Sequence, residues 1–159
     1  MSLAVAIQMD PIEGVDIDAD STFALAVEGQ ARGHGLFHYL PKQLSFKRGR
    51  AVAQARPLKV KRERGAHFQL GAPEELDLAG MDVVLMRQDP PFDIAYITAT
   101  YLLERVSAET LVVNDPRSVR DCPEKLFVLD FARFMPPTSI TRSMAELRAF
   151  HAQHGEIVM

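Results

Sequence analysis

Three short apolar runs constrain the fold more than any other feature of the sequence. They span residues 3–9, 81–86 and 111–114, and a loop containing aspartate and proline follows each run. Runs of this length without polar alternation are typical of strands buried on both faces of a parallel sheet. Helical spacing at residues 21–31 and 94–106 lies between strand patterns. The order strand, helix, strand therefore predicts an α/β fold with a parallel sheet.

The boundaries of the first helix follow from its flanking residues. Asp18, Asp20 or Ser21 is a suitable N-cap for apolar spacing that runs through Phe23, and Gly33 ends that spacing. Aspartate and serine oxygens accept hydrogen bonds from the free N–H groups of a first helical turn. A second strand is predicted at residues 36–40, directly after this helix.

The charge distribution separates the middle of the chain from the rest. The chain carries a net charge of −3, which excludes a globally basic nucleic-acid-binding protein. Residues 42–64 nevertheless contain nine bases and one acid. Strand-like spacing around a turn at Gly49 predicts a β-ribbon over residues 44–63. The basic run at its end indicates a solvated face or a subunit contact, and RNA binding is the weaker alternative because an RNA-binding motif is lacking.

The last part of the chain has a different character. We predict a short helix from residue 123, a brief strand at residues 138–141, a helix at residues 144–154 and the start of a strand at residues 155–159. The composition, 47% apolar and 25% charged, is that of a soluble globular protein. The single cysteine, Cys122, excludes an internal disulfide and a cysteine-based zinc cluster. Without a leader or membrane-span pattern, we expect a cytoplasmic protein with no membrane or nucleic-acid partner.

The loops that follow the strands are the places to look for a site, because open α/β sheets bind ligands at the carboxyl ends of their strands. If the strands are neighbours, Asp10, Arg87 and Asp89 converge there; we call these three residues the rim. Arginine binds carboxylates bidentately and an acid receives an amine, so the rim suits a zwitterion. The alternative is that the acids cap helices and pair with Arg87. His34 and His38 are interpreted as structural residues.

Five segments resemble one enzyme family. Met9-Asp10-Pro11-Ile12, Asp20-Ser21-Thr22-Phe23-Ala24, Met86-Arg87-Gln88-Asp89-Pro90-Pro91-Phe92-Asp93, Val113-Asn114-Asp115-Pro116 and Pro123-Glu124-Lys125-Leu126-Phe127 occur in order along the chain. Together they resemble the bacterial glutathione synthetases, which are ATP-grasp ligases. The Arg-x-Asp-Pro-Pro-Phe-Asp loop is the most specific of them.

The resemblance implies an organisation and a chemistry. Residues 1–122 would form a Rossmann-like pre-ATP-grasp domain with a β-ribbon excursion, and residues 123–159 the truncated start of an ATP-grasp domain. The family joins γ-glutamylcysteine to glycine, using ATP and Mg²⁺ to form an acyl phosphate. By resemblance, the rim residues Asp10, Arg87 and Asp89 face the dipeptide and Lys125 contacts an ATP phosphate. No catalytic residue or metal ligand is assigned within this chain.

The resemblance also implies what this chain lacks. The lysine strand, the glycine-rich phosphate loop and the metal-binding residues of the family would follow residue 159. We therefore expect an N-terminal part with negligible ligase activity alone, and a homo-oligomer in the complete enzyme. The rival hypothesis is a non-catalytic α/β binding or oligomerisation module that uses the basic ribbon.

Overall fold

The computed structural model describes residues 1–123 and 125–158, which form two compact units that meet in sequence after Cys122. The first unit is a mixed α/β structure. Its strands are β1 (Ala4–Gln8), β2 (Gly35–Tyr39), β3 (Leu44–Lys47), β4 (Arg50–Val60), β5 (Phe68–Leu70), β6 (Glu74–Asp77), β7 (Val83–Met86) and β8 (Leu111–Val113). Its helices are α1 (Ser21–Ala31), α2 (Ile94–Glu104) and α3 (Pro116–Asp121).

The sheet combines a parallel centre with an antiparallel flank. The strand order is β3-β4-β2-β1-β7-β8, and β5 and β6 both pair with β4. The neighbours β2, β1, β7 and β8 run parallel, whereas β4 runs antiparallel to β2, β3, β5 and β6. The predicted α/β fold with a parallel sheet is confirmed. The ribbon, however, extends the main sheet instead of leaving it, because β4 pairs with β2 at its far end.

The central strands bury both faces. Along β1, Val5 and Ile7 pack in one cluster with Phe23 of α1, while Ala6 packs in the other with Leu103 of α2. Successive side chains of a strand point to opposite faces, so a continuous apolar run supplies both clusters. Gln8 is fully buried at the end of β1, where its Nε2 donates to Oε1 of Gln88.

Local signals set the element boundaries. Among the three possible caps of α1, Asp20 is the one used: its Oδ1 accepts from the Phe23 N–H at 2.6 Å. The helix C-cap is Arg32, and Gly33 follows with φ of 81°. The hairpin between β3 and β4 turns at Arg48 and Gly49, both with positive φ, at the predicted position. Such turns match the twist of the strands that they join.

The second unit departs from the prediction in three places. The helical segment begins at residue 127, as a 3₁₀ helix at Phe127–Phe134, and not at residue 123. The strand predicted at residues 138–141 is wrong, as is the strand start over residues 155–158, since neither segment has strand structure. A strand needs a neighbouring strand that pairs with its backbone N–H and C=O groups. Residues 125–158 contain no strand that could serve as this partner. Helix α4 (Met144–His154) forms as predicted, and Met159 lies outside the described residues.

Candidate functional site

Two neighbouring strands deliver the rim residues to one edge of the sheet. β1 and β7 are paired in parallel with Gln8 opposite Met86, so Asp10 and Arg87 follow adjacent strand ends. The Arg87 N–H donates to the Gln8 carbonyl at 2.8 Å and continues this pairing by one step. Two residues further on, the Asp89 N–H donates to Oδ2 of Asp10 at 2.7 Å. The structure therefore brings Asp10, Arg87 and Asp89 together.

The rim opens into a cavity of about 500 Å³. Its walls come from the rim, from the loop of residues 9–20 between β1 and α1, and from the first turn of α1. The lining residues are Met9, Asp10, Pro11, Gly14, Val15, Asp16, Ala19, Asp20, Thr22, Arg87 and Asp89. One arginine facing four aspartates gives the cavity groups of both charges.

Arg87 is held by hydroxyl groups and not by acids. Its Nη2 donates to Oγ of Ser21 at 2.6 Å, and its Nε donates to Oγ1 of Thr22 at 3.1 Å. Within residues 1–123 and 125–158, no carboxylate forms an ion pair with it, and its Nη1 makes no hydrogen bond. The guanidinium is thus oriented by neutral partners, and none of the described carboxylates is within ion-pair distance of it. That arrangement suits an anionic ligand.

The helix-capping alternative is wrong for the rim acids. Asp20, Asp93 and Asp115 cap α1, α2 and α3 respectively, so capping does explain other loop aspartates. Neither Asp10 nor Asp89 caps a helix in the described part of the chain. Their carboxylates lie at the strand ends beside the cavity instead.

Tyr96 is a neighbour of the rim that sequence reasoning missed. It lies on the first turn of α2, and its ring packs against Phe92 with centroids 5.2 Å apart. Burial raises the pKa of the Tyr96 phenol; Arg87 opposes this rise, while Asp89 and Asp10 add to it. The phenol is therefore in the electrostatic field of all three rim residues. The sequence signal that could have identified Tyr96 is its position three residues after Asp93, the N-cap of α2, which places it on the first turn of the helix that follows the rim.

The basic run at the end of the ribbon contacts the chain itself. Nη1 of Arg62 donates to the Ile17 carbonyl at 3.0 Å, and Arg64 forms an ion pair with Asp18. Lys61 forms an ion pair with Glu63 at 2.6 Å. Much of the positive charge that predicted a subunit or RNA contact is therefore engaged within the chain: Arg62 and Arg64 contact the acidic 9–20 loop, and Lys61 pairs with Glu63 in the same basic run.

The histidines have structural contacts. Nδ1 of His34 accepts from the Leu3 N–H at 3.3 Å. His38 is buried on β2, with its Nε2 3.3 Å from the Asp10 carbonyl. Burial lowers the pKa of His38; the Asp10 carbonyl and the charge of Glu13 oppose this effect, and Arg56 adds to it.

Lys125 belongs to the second unit. It lies in a turn before the 3₁₀ helix, and its side chain is exposed. No hydrogen bond or ion pair joins its ammonium group to another residue that the structure describes. It is thus available to an anion, as an exposed lysine generally is.

The described residues contain neither a metal-binding cluster nor a membrane-spanning helix. No group of three or more His, Cys, Asp and Glu side chains in residues 1–123 and 125–158 is placed to hold a metal ion. Of the helices over the same residues, none is sufficiently long and apolar to span a bilayer.

Comparison with known proteins decides the family. Residues 3–120 match the family described as prokaryotic glutathione synthetase, N-terminal domain. The chain belongs to the prokaryotic glutathione synthetase family. Residues 124–159 match a second family description, prokaryotic glutathione synthetase, ATP-grasp domain. The resemblance of the five sequence segments is confirmed by these matches.

Curated relatives in this family are similar along the whole chain. Proteins named glutathione synthetase from Rhodopseudomonas palustris and Bradyrhizobium diazoefficiens are 55% and 56% identical over all 159 residues, which are 51% of each relative. The one from Salmonella typhimurium is 44% identical over 158 residues, 99% of this chain and 50% of the relative. The chain spans about half the length of the curated relatives it matches.

Proposed function

We propose that this chain provides the substrate-side part of a glutathione synthetase, which joins γ-glutamylcysteine to glycine with conversion of ATP to ADP and phosphate. Its family membership and the shared name of its relatives support this function. In this proposal residues 1–122 are the pre-ATP-grasp domain and residues 123–159 are the start of the ATP-grasp domain. The complete enzyme is cytoplasmic and a homo-oligomer.

The single observation that carries the proposal is the state of the Arg87 guanidinium. Ser21 and Thr22 orient it with hydroxyl groups, and its Nη1 has no hydrogen-bond partner among the described residues. A carboxylate of the substrate is the natural partner, because charge-assisted pairs are about twice as strong as neutral hydrogen bonds. Asp10 and Asp89 lie beside it to receive an ammonium group.

The substrate offers both charges on one carbon. The γ-glutamyl end of γ-glutamylcysteine carries an α-ammonium and an α-carboxylate, which match the acids and the arginine of the rim. We assign this end of the dipeptide to the rim, so that the cysteine carboxylate, the reacting group, is directed away from it. Lys125 is proposed to contact a phosphate of ATP.

The cofactor chemistry is assigned to the complete enzyme. ATP and Mg²⁺ belong to the family's reaction, and we assign no residue of this chain as a ligand of the metal. The role of the chain is to bind and orient the dipeptide. By itself it is proposed to have negligible ligase activity.

Calorimetric titration tests the assignment of the rim. We expect the purified chain to bind γ-glutamylcysteine, and Arg87→Ala to weaken this binding about tenfold or more, as the loss of a charge-assisted hydrogen bond of about 1.5–3 kcal/mol predicts. Arg105→Ala is the matched control, because Arg105 is exposed and its side chain has no described partner.

The ligand series separates the two charges of the substrate. N-acetyl-γ-glutamylcysteine lacks the ammonium group and cysteinylglycine lacks the γ-glutamyl end, so both should bind more weakly than γ-glutamylcysteine. Equal binding of γ-glutamylcysteine by Arg87→Ala and Arg105→Ala would contradict the assignment. If N-acetyl-γ-glutamylcysteine bound as tightly as γ-glutamylcysteine, Asp10 and Asp89 would not be the partners of the substrate ammonium group.

A further inference from the structure

Three side chains from outside the 9–20 loop donate hydrogen bonds to its backbone carbonyls. His38 on β2 approaches the Asp10 carbonyl through Nε2 at 3.3 Å. From the turn of residues 61–67, which joins β4 to β5, Nε2 of His67 lies 2.8 Å from the Ile12 carbonyl. Arg62 of the same turn reaches the Ile17 carbonyl at 3.0 Å. The three contacts are spread along the length of the loop.

The chemistry of these contacts fixes which atoms donate. A carbonyl oxygen only accepts, so Nε2 of each histidine carries the proton in this arrangement. His38 and His67 are 5% and 9% exposed, so water competes little for either donor. The His67 ring is further fixed by edge contacts with Phe23 and Phe68, at centroid distances of 5.8 and 4.9 Å.

The loop needs support of this kind. One turn of 3₁₀ helix at Ile12–Gly14 is its regular structure, so most of its carbonyls lack the partners that a helix or strand provides. It also carries an acid at each of five positions: Asp10, Glu13, Asp16, Asp18 and Asp20. These like charges repel one another, and the cationic side chains of the 61–67 turn offset this repulsion, as in the ion pair of Arg64 with Asp18.

The same loop forms a wall of the cavity and leads directly into Ser21 and Thr22 of α1, which orient Arg87. Asp10, Asp16 and Asp20 line the cavity, and Ser21 follows directly. We propose that His38, Arg62 and His67 are positioning residues, which hold the 9–20 loop where Asp10 bonds the Asp89 N–H and the rim presents its acids to the substrate ammonium group. The substrate part of this proposal rests on the proposed function; the loop part does not.

The proposal gives the basic ribbon a role in the site. Arg62 and His67 lie 45 and 55 residues from the carbonyls that they contact, so the antiparallel flank of the sheet connects to the rim through these two side chains. His38 makes the third contact from β2, in the parallel centre of the sheet. A purely packing role would require only the shape of the His67 ring and the aliphatic stem of Arg62. A positioning role requires their N–H groups.

Variants that keep shape and remove the donor separate the two roles. Arg62→Met and His67→Phe keep the stem or ring, whereas Arg62→Lys and His67→Gln keep an N–H donor. Lys59→Met is the matched control, because Lys59 is exposed on the same ribbon and makes no described hydrogen bond to the loop. The readout is the rate at which the Asp89 amide proton exchanges with water, measured by NMR on the 159-residue chain without ligand.

We expect the Asp89 amide to exchange about fivefold faster in Arg62→Met and His67→Phe, the change that loss of a hydrogen bond worth about 1 kcal/mol gives. Arg62→Lys and His67→Gln should restore most of the protection, and Lys59→Met should leave it unchanged. Amides of β1 and β7 should be unaffected in every variant. Since Arg62 is exposed, Arg62→Met carries the test if His67→Phe does not fold.

Unchanged Asp89 exchange in Arg62→Met, or acceleration that extends equally to β1 and β7, would overturn the positioning role. A parallel titration with γ-glutamylcysteine should show weaker binding in Arg62→Met than in Arg62→Lys. If Asp89 exchange responds as expected while the unaltered chain does not bind the dipeptide, the loop role stands and the proposed function fails. The two proposals are therefore tested separately.

Discussion

The carboxylate of Asp10 accepts a hydrogen bond from the backbone N–H of Asp89 at 2.7 Å, although 79 residues separate the two in sequence. This contact joins the loops that follow β1 and β7, and it places one acid of the rim against the backbone of another. The parallel pairing of β1 and β7 thus brings the two loops to one edge of the sheet. The hydrogen bond from the Asp89 N–H to the Asp10 side chain then connects the loops to each other.

Substitutions of Asp10 should separate this structural contact from the charge. Asp10→Asn keeps an oxygen that accepts from the Asp89 N–H, so its free energy of unfolding should stay within about 0.5 kcal/mol of the parent. Asp10→Ala removes the acceptor and should lose about 1 kcal/mol. Both variants should bind γ-glutamylcysteine more weakly, because both lack the negative charge. Urea unfolding and calorimetry measure the two effects, and parent-like dipeptide binding by Asp10→Asn would contradict the role of the charge.

Asp93 should contribute to stability through the start of α2. Its Oδ1 accepts from the Tyr96 N–H at 2.9 Å and satisfies one free donor of the first helical turn. Asp93→Ala should lower the free energy of unfolding by about 1 kcal/mol, whereas Asp93→Ser, which retains a capping oxygen, should lose less. Thermal and urea unfolding of the three proteins gives the comparison. An alanine variant as stable as the serine variant would show that the cap is energetically unimportant here.

Most of the first unit was predictable because its signals are local. The apolar run at residues 3–9 predicts β1, and the turn at Gly49 predicts the β3–β4 hairpin. The short strands β5 and β6 were missed for a physical reason: Glu74–Asp77 carries three acids in four residues and is a strand only because it pairs with β4. Propensity has little weight where a tertiary partner supplies the hydrogen bonds.

The rim was predictable in outline and not in detail. Strand-end reasoning identified Asp10, Arg87 and Asp89, since neighbouring parallel strands bring their following loops to one edge. The partners of Arg87 in α1 and the contacts of Arg62 and His67 with the 9–20 loop join residues 45 to 66 positions apart. A single sequence contains no local signal for such contacts.

In the second unit, the strand predicted at residues 138–141 is wrong because a sequence pattern alone does not provide a pairing partner.

The contact between α2 and α3 should depend on Arg120. Its side chain is 14% exposed, donates to Oγ1 of Thr100 at 3.0 Å, pairs with Glu104, and lies over the Tyr101 ring at 4.0 Å. Arg120→Met should lower the free energy of unfolding by about 2 kcal/mol, because it leaves Glu104 and Thr100 without this donor. Arg120→Lys should restore little, since an ammonium group lacks the planar fork.

Arg117 provides the control for this prediction. It reaches the same Glu104 at 3.7 Å but is 72% exposed. Arg117→Ala should therefore change the free energy of unfolding by no more than about 0.5 kcal/mol. Equal losses in Arg117→Ala and Arg120→Met, measured by urea unfolding, would refute the distinction between the two arginines.

His38 should make the stability of the first unit depend on pH. Burial lowers its pKa below the ordinary value of 6.5, against the opposing effects of the Asp10 carbonyl and Glu13, and with a further lowering by Arg56. The unfolded chain therefore binds the proton more readily than the folded chain. The contribution of neutral His38 to stability is complete above pH 6.5 and is lost as the pH falls through the lowered folded pKa. His38→Gln keeps an N–H donor for the Asp10 carbonyl but does not titrate, so its free energy of unfolding should fall less steeply than that of the parent as the pH is lowered below 6.5. Urea unfolding at several pH values compares the slopes, and identical slopes in the two proteins would show that His38 is not the responsible group.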